Sequence, residues 1–235
     1  MGNKSSVPTP TEAQFTTPHE PLDPPLSAAI FTGTAGVNFT IPRNAWTRGC
    51  VIEELGGLRV VPDETAKSFQ GSRCSLYLQN NCVAVLLSYD SIRIRVCTFL
   101  PIATSKVQAK HDGQPLYEYA VVTAKRDSRQ HVLHMTGLPN QPHNDLPPRL
   151  VTAKLQKGLP HDRAIHGYDD KADLWGAIYE HSTTEWRVQT VAGVDPILIL
   201  AFVLSTDRFK QYVEVQHLRR TATLDAVSNV GTVSS

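Results

Sequence analysis

The sequence predicts a mainly β protein: a closed antiparallel barrel that encloses one hydrophobic helix near the C-terminus. Three observations predict it. Between residues 37 and 191, short β-rich runs recur at roughly ten-residue spacing, separated by turn residues, which is the pattern of a sandwich or barrel. No segment in that interval repeats with the 3.6-residue period, so parallel βαβ units are not expected. Residues 197–204 are then apolar on every face, and such a helix must be buried. The run is too short for lipid, where a span needs about 20 apolar residues. A sheet closed on itself has an interior for such a helix and leaves no exposed edges.

Taken in order, the chain opens with Met1-Gly2-Asn3-Lys4-Ser5-Ser6, which matches the N-myristoylation pattern of Gly2 with Ser at the sixth position. No apolar central region follows, so a secretory signal peptide is not expected. Residues 1–36 carry Pro8, Pro10, Pro18, Pro21, Pro24 and Pro25 among threonines. They read as a disordered tether, since such a composition buries too little apolar surface to offset its ordering entropy. Strands are expected at 50–54 and 58–61, a hairpin turned by Gly56 and Gly57, and then at 74–78 and 82–88. Residues 92–97 alternate strictly, which turns Arg93 and Arg95 away from Ile92 and Ile94. The dipeptide Asp112-Gly113 marks a tight turn into a β-rich run over 116–124, followed by 131–135. Residues 136–149 are rich in Pro and Asn and read as a loop. Strands follow at 150–155, 174–181 and 185–191, with 156–173 a polar loop holding at most one short strand. The barrel domain spans 37–217, and 218–235 is expected as a flexible tail.

The helix announces its own start. Asp195 can accept hydrogen bonds from the free amides of the first turn, and Pro196 suits the first helical position. Its extent is expected to be about 197–209.

Composition excludes several function classes. A formal net charge of +1 supplies no bulk field for nucleic acid. Cys50, Cys74, Cys82 and Cys97 show no CxxC spacing and read as reduced thiols. There is no Walker A loop, no GxGxxG after a strand and no nucleophile elbow, so no enzymatic activity and no cofactor are expected. The densest run of ligand-type residues, 161–170, matches no metal spacing, and His131 and His134 fall on opposite faces of a strand.

Residues 186–200, Trp186-Arg187-Val188-Gln189-Thr190-Val191-Ala192-Gly193-Val194-Asp195-Pro196-Ile197-Leu198-Ile199-Leu200, resemble the closing segment of the tubby C-terminal-like superfamily. They are closest to its LURP-one-related branch, which ends in a strand, a glycine-valine-aspartate turn and a hydrophobic helix. Asp112-Gly113-Gln114-Pro115-Leu116-Tyr117-Glu118-Tyr119-Ala120 is similar to the mid-domain hairpin of that branch. The resemblance covers about residues 37–215 in layout and only these two stretches in detail. It implies a barrel of about 12 strands around a central helix, with Gly193, Asp195 and Pro196 forming the turn into it. Relatives include phosphoinositide-binding tubby domains and the phospholipid scramblases.

The function expected is that of a non-enzymatic, membrane-peripheral protein that binds a phospholipid, phosphoinositides included, or a protein partner. It would be cytoplasmic and reversibly associated with the inner face of the plasma membrane or another membrane. One myristoyl chain holds a membrane only marginally, so a second signal is needed. Arginine forks suit phosphate, which makes Arg93, Arg95, Lys125, Arg126 and Arg129 the candidate lipid-binding residues. Solvated charge on a barrel exterior is the plainer reading of the same side chains. The alternatives are scramblase-like lipid translocation and a soluble adaptor in stress or defence signalling.

Overall fold

Every residue from 191 to 206 is buried, and the arrangement around that run explains how. The structure is a computed structural model and describes residues 10–16, 26, 35–63, 71–90, 92–101, 107–124, 131–135, 150–156, 159–168 and 174–230. Its strands are β1 (Asn38–Pro42), β2 (Cys50–Ile52), β3 (Leu58–Pro62), β4 (Arg73–Leu78), β5 (Asn81–Asp90), β6 (Arg93–Thr98) and β7 (Val107–His111). They continue with β8 (Gln114–Ala124), β9 (His131–Met135), β10 (Leu150–Gln156), β11 (Leu159–Tyr168), β12 (Leu174–Glu180) and β13 (Glu185–Thr190). The helices are α1 (Glu12–Thr16), α2 (Ala45–Arg48) and α3 (Pro196–Val230).

All 13 strands belong to one sheet in the order β1-β13-β12-β11-β10-β9-β8-β6-β5-β4-β3-β2, with β7 beside the start of β8. Every pairing is antiparallel, and apart from β1 against β13 the path follows the chain closely, so hairpins build most of it. Alternation sets the inner face. In β6, Ile94 and Val96 are fully buried, as are Ala120 and Val122 of β8 and Leu133 of β9. These join Ile197, Leu198, Ile199, Leu200, Phe202, Val203 and Leu204 of α3 in one hydrophobic cluster. Burying those seven helix side chains contributes roughly 10 to 20 kcal/mol relative to leaving them exposed. The buried hydroxyls of the same helix are satisfied locally: Ser205 Oγ donates to Ala201 O at 2.7 Å and Thr206 Oγ1 to Val203 O at 2.9 Å.

A carboxylate holds each end of the enclosed segment. Gly193 takes φ +84°, a left-handed turn that glycine adopts freely, and delivers Asp195 to the start of α3. Asp195 Oδ1 accepts the amides of Ile197 at 2.8 Å and Leu198 at 3.4 Å, while Oδ2 accepts the amide of Leu26 at 2.6 Å. Pro196, which has no amide hydrogen to leave unpaired, is the first helical residue. At the other end Asp207 accepts the Asn44 amide at 2.9 Å, the Trp186 indole at 3.3 Å and the Gln211 side-chain amide at 2.8 Å.

The expected mainly β, antiparallel fold with one C-terminal helix is present, and β1 and β2, the ends of the sheet's path, lie side by side with no ladder between them among the described residues. Three expectations are corrected. First, residues 159–168 form the ten-residue strand β11 and not a loop. Ladder partners on both sides bond its backbone whatever its side chains, and Ala164 and Ile165 are fully buried. Second, residues 1–36 are not an undocked tether throughout, because α1 packs on β12, Phe15 is buried, and Leu26 bonds Asp195. Third, α3 runs 35 residues, about 50 Å, to Val230, so most of the expected tail from 218 is helical. Helix-favouring Lys210, Gln211, Glu214 and Gln216 carry it beyond the apolar run.

Asp195 is fully buried, and burial pushes its carboxyl up to about 6 against the opposing pull of its three amide partners. Its folded pKa exceeds the unfolded one, so its contribution is fully present below about pH 4 and is lost as pH rises through about 6. Denaturant titrations should therefore show the wild type losing stability relative to Asp195→Asn between pH 4 and pH 6.5, on the order of 1 kcal/mol per pH unit. A pH-independent difference between the two would contradict this. Asp195→Ala, which orphans buried amides, should cost about 2 to 4 kcal/mol.

Candidate functional site

The arginines of β6 project from the outer face, as their alternation requires, and both meet Tyr89. The guanidinium carbons of Arg95 and Arg93 lie 4.2 and 5.4 Å from its ring centroid. Each already has a counter-ion. Arg93 Nη2 and Nε sit 2.6 and 2.7 Å from Asp90 Oδ2, and Arg95 Nε sits 3.0 Å from Glu118 Oε2. Burial raises the Asp90 carboxyl, but the hydrogen bonds from Arg93 and from the Ile92 amide outweigh it and leave the pKa lowered. The pair is therefore a charge-balanced outer-face network. Lys125, Arg126 and Arg129, just after Ala124, lie outside the described residues, and Gly2 at the other end of the chain does too.

Near Asp207, the Trp186 ring meets two cations: Arg43 Cζ is 4.2 Å and Lys210 Nζ 4.7 Å from its centroid. His131 stacks on Phe209 at 5.9 Å, with His134 exposed on the opposite face. His131, Trp186, Thr206, Asp207 and Lys210 line a cavity of about 20 Å³, room for about one water. These contacts lock the helix exit and leave no space for an organic ligand.

Elsewhere on the outer face, Tyr77 Oη lies 2.9 Å from His111 Nε2 beside a small apolar cluster of Val85, Cys97 and Leu116. Burial pushes the thiols up, Cys50 and Cys82 to about 11 and Cys97 to about 12. None of these is an activated nucleophile, because the thiolate is the reactive form. Among the described residues no three His, Cys, Asp or Glu side chains are arranged to hold a metal ion.

One outer surface differs in kind. β12 and β13 pair with Ile178 opposite Val188 on the inside and Tyr179 opposite Arg187 on the outside. Tyr179, His181, Arg187 and Gln189 line an open groove of about 340 Å³ on that face. Neither Arg187 nor His181 nor the Gln189 side chain has a hydrogen-bond or ion-pair partner among the described residues. Thr40 and Asn38 of β1 continue the face, opposite Arg187 and Gln189. Further along β12, Trp175 and Ala177 are buried, and α1 packs on this strand.

No protein-family model matches the chain, and no curated protein matches it.

The geometry thus brings together a set the sequence reading did not single out. Period-two alternation in 185–190 places Arg187 and Gln189 outside, but nothing in the sequence records that Tyr179 lies across from Arg187. A free basic side chain near an anionic bilayer contributes about 1 kcal/mol. Since Arg93 and Arg95 are already neutralised, the double variant Arg93→Gln/Arg95→Gln should change affinity for anionic vesicles by less than about two-fold. A ten-fold loss in a sedimentation assay would return the β6 arginines to the role the sequence suggested.

Proposed function

We propose that this chain is a non-enzymatic, membrane-peripheral binding protein of the LURP-one-related, tubby-like type. In this reading the sheet closes into a barrel. Supporting it, β1 lies beside β2 and the turn at Glu53–Leu55, and the Thr40 amide donates to Glu54 Oε1 at 3.2 Å, a side chain where a ladder partner would stand.

The single observation that carries the functional reading is that the interior is filled by α3. Its enclosed segment is inaccessible from Ile197 to Ala201 and at Phe202, so recognition falls to the outer surface. The Gly2 motif adds a tether, and the protein would act on the cytoplasmic side, reversibly at the inner face of the plasma membrane or another membrane. A phospholipid headgroup or a protein partner is what it would hold. No helix among the described residues is long and apolar enough to cross a membrane, so lipid translocation would require α3 to leave its enclosure.

Fractionation of cells expressing wild type and Gly2→Ala tests the tether. The acylated chain should partition into membranes with an affinity near 10⁴ M⁻¹, the value for a single myristoyl group of about 14 carbons, and Gly2→Ala should be released. Equal soluble fractions would reject the tether, and transfer of labelled lipid in proteoliposomes would put translocation first.

A further inference from the structure

We infer that the outer face of β12 and β13 is a docking surface for an acidic, aromatic-bearing helical segment of a partner protein, and that α1 occupies its apolar half as an intramolecular competitor. This rests on the reading above that recognition falls to the outer surface, and it selects the protein partner.

Strand pairing makes the two halves one face. Outward positions alternate along β12 as Trp175, Ala177 and Tyr179, and Ala177 lies across from Gln189 on β13 and Ala164 on β11. An outward residue stays exposed unless something covers it, yet Ala164 and Ala177 are fully buried and Trp175 nearly so. α1 packs on β12, and its Phe15 is buried in the cluster that holds Trp175, Ala177 and Ala164. Beyond Ala177 the face opens into the groove of Tyr179, His181, Arg187 and Gln189. A covered apolar seat therefore adjoins an open basic groove.

The cover is weakly held. α1 has five residues, Glu12–Thr16, and isolated helices shorter than about 12 residues are marginal in water. The Thr11 amide donates to Gln14 Oε1 at 2.8 Å and the Gln14 amide to Thr11 O at 3.0 Å, a cap that closes one turn. Phe15 is buried while Glu12 and Gln14 are exposed. A contact that rests on so few buried side chains lies at the low-stability end of a fold, from which displaceable elements are drawn.

Charge identifies the occupant. Arg187 and His181 are exposed with no counter-ion among the described residues, and no carboxylate lines the groove. With α1 docked, the seat is filled and the Arg187 guanidinium is still unpaired. A helix that seats an aromatic side chain where Phe15 sits and carries carboxylates toward Arg187 makes both contacts, the second through charge-assisted hydrogen bonds. Laying the apolar face of a short helix into a groove is a recurring mode of peptide recognition.

The test titrates the full chain in solution, with no membrane present, against two labelled synthetic peptides. One is residues 9–19 of this sequence; the other is the same stretch flanked by glutamates at both ends. Phe15→Ala, which vacates the seat, should bind both peptides about ten-fold more tightly than wild type, because the competent state is no longer a minor one. Gln14→Pro, at an exposed position, should shift affinity the same way by unwinding α1 with the core intact. Replacing the phenylalanine of either peptide by alanine should abolish binding. The flanked peptide should bind Phe15→Ala about five-fold more tightly than the plain one, a gain that Arg187→Gln removes in that background. No binding to either open variant overturns the seat, and equal binding by wild type and both variants overturns the competition. A charge gain that is absent, or that survives Arg187→Gln, overturns the acidic partner. A concentration-dependent wild-type dimer that Phe15→Ala abolishes gives the seat to a second copy and overturns the partner assignment. Since neither bilayer nor acyl group enters, this surface and the Gly2 tether fail independently.

Discussion

A helix with eight consecutive apolar residues, 197–204, has no face to offer water, and the rest of the chain answers that constraint. One antiparallel sheet turns its inward side chains into the same cluster as the helix, and its first and last strands in chain order, β1 and β13, pair. The dependence is mutual. Buried side chains of β6, β8, β9 and β13, such as Ile94, Val122, Leu133 and Val188, share one cluster with those of α3. The energy of this arrangement is mainly area removed from water, with the ladder hydrogen bonds keeping the buried backbone satisfied.

Burial of that kind fixes little about direction, and two carboxylates supply what the apolar contacts cannot. Asp195 collects amides from both α3 and Leu26, 169 residues apart in sequence, and so ties the N-terminal segment to the helix entrance. Asp207 gathers Asn44, Trp186 and Gln211 at the exit. Each carboxylate is shared between segments that meet only in the folded chain. Loss of either therefore loosens more than one element at once.

This explains which parts of the fold the sequence disclosed. The start of α3 is legible because capping chemistry is local: Asp195 accepts the amides of Ile197 and Leu198, and Pro196 has no amide hydrogen to satisfy. The outward projection of Arg93 and Arg95 was legible because alternation is local too. The extent of α3 exceeds what hydrophobicity shows, because the apolar run ends near Phe209 while helix propensity, in Lys210 to Gln216, carries the helix on. Strand β11 was missed because its side chains are polar, while its ladder partners come from β10 and β12. The docking of Leu26 and the convergence of Tyr179 with Arg187 depend on tertiary pairings that no spacing rule encodes. Charge in a sequence is blind to the partner: Arg95 faces Glu118, and Arg187 faces an open groove.

The interior is committed to α3, whose residues Ile197 to Phe202 are inaccessible, so under the proposed function recognition falls to the outer faces of the strands. Hydrogen exchange of the acylated protein, alone and bound to anionic vesicles, tests it most directly. The amides of residues 199–206 should be among the slowest to exchange in both states, with vesicle-induced protection confined to the outer strands and the N-terminal segment. Rapid exchange of 199–206, or exchange that changes sharply on binding vesicles, would mean that the helix leaves its enclosure and would contradict the account.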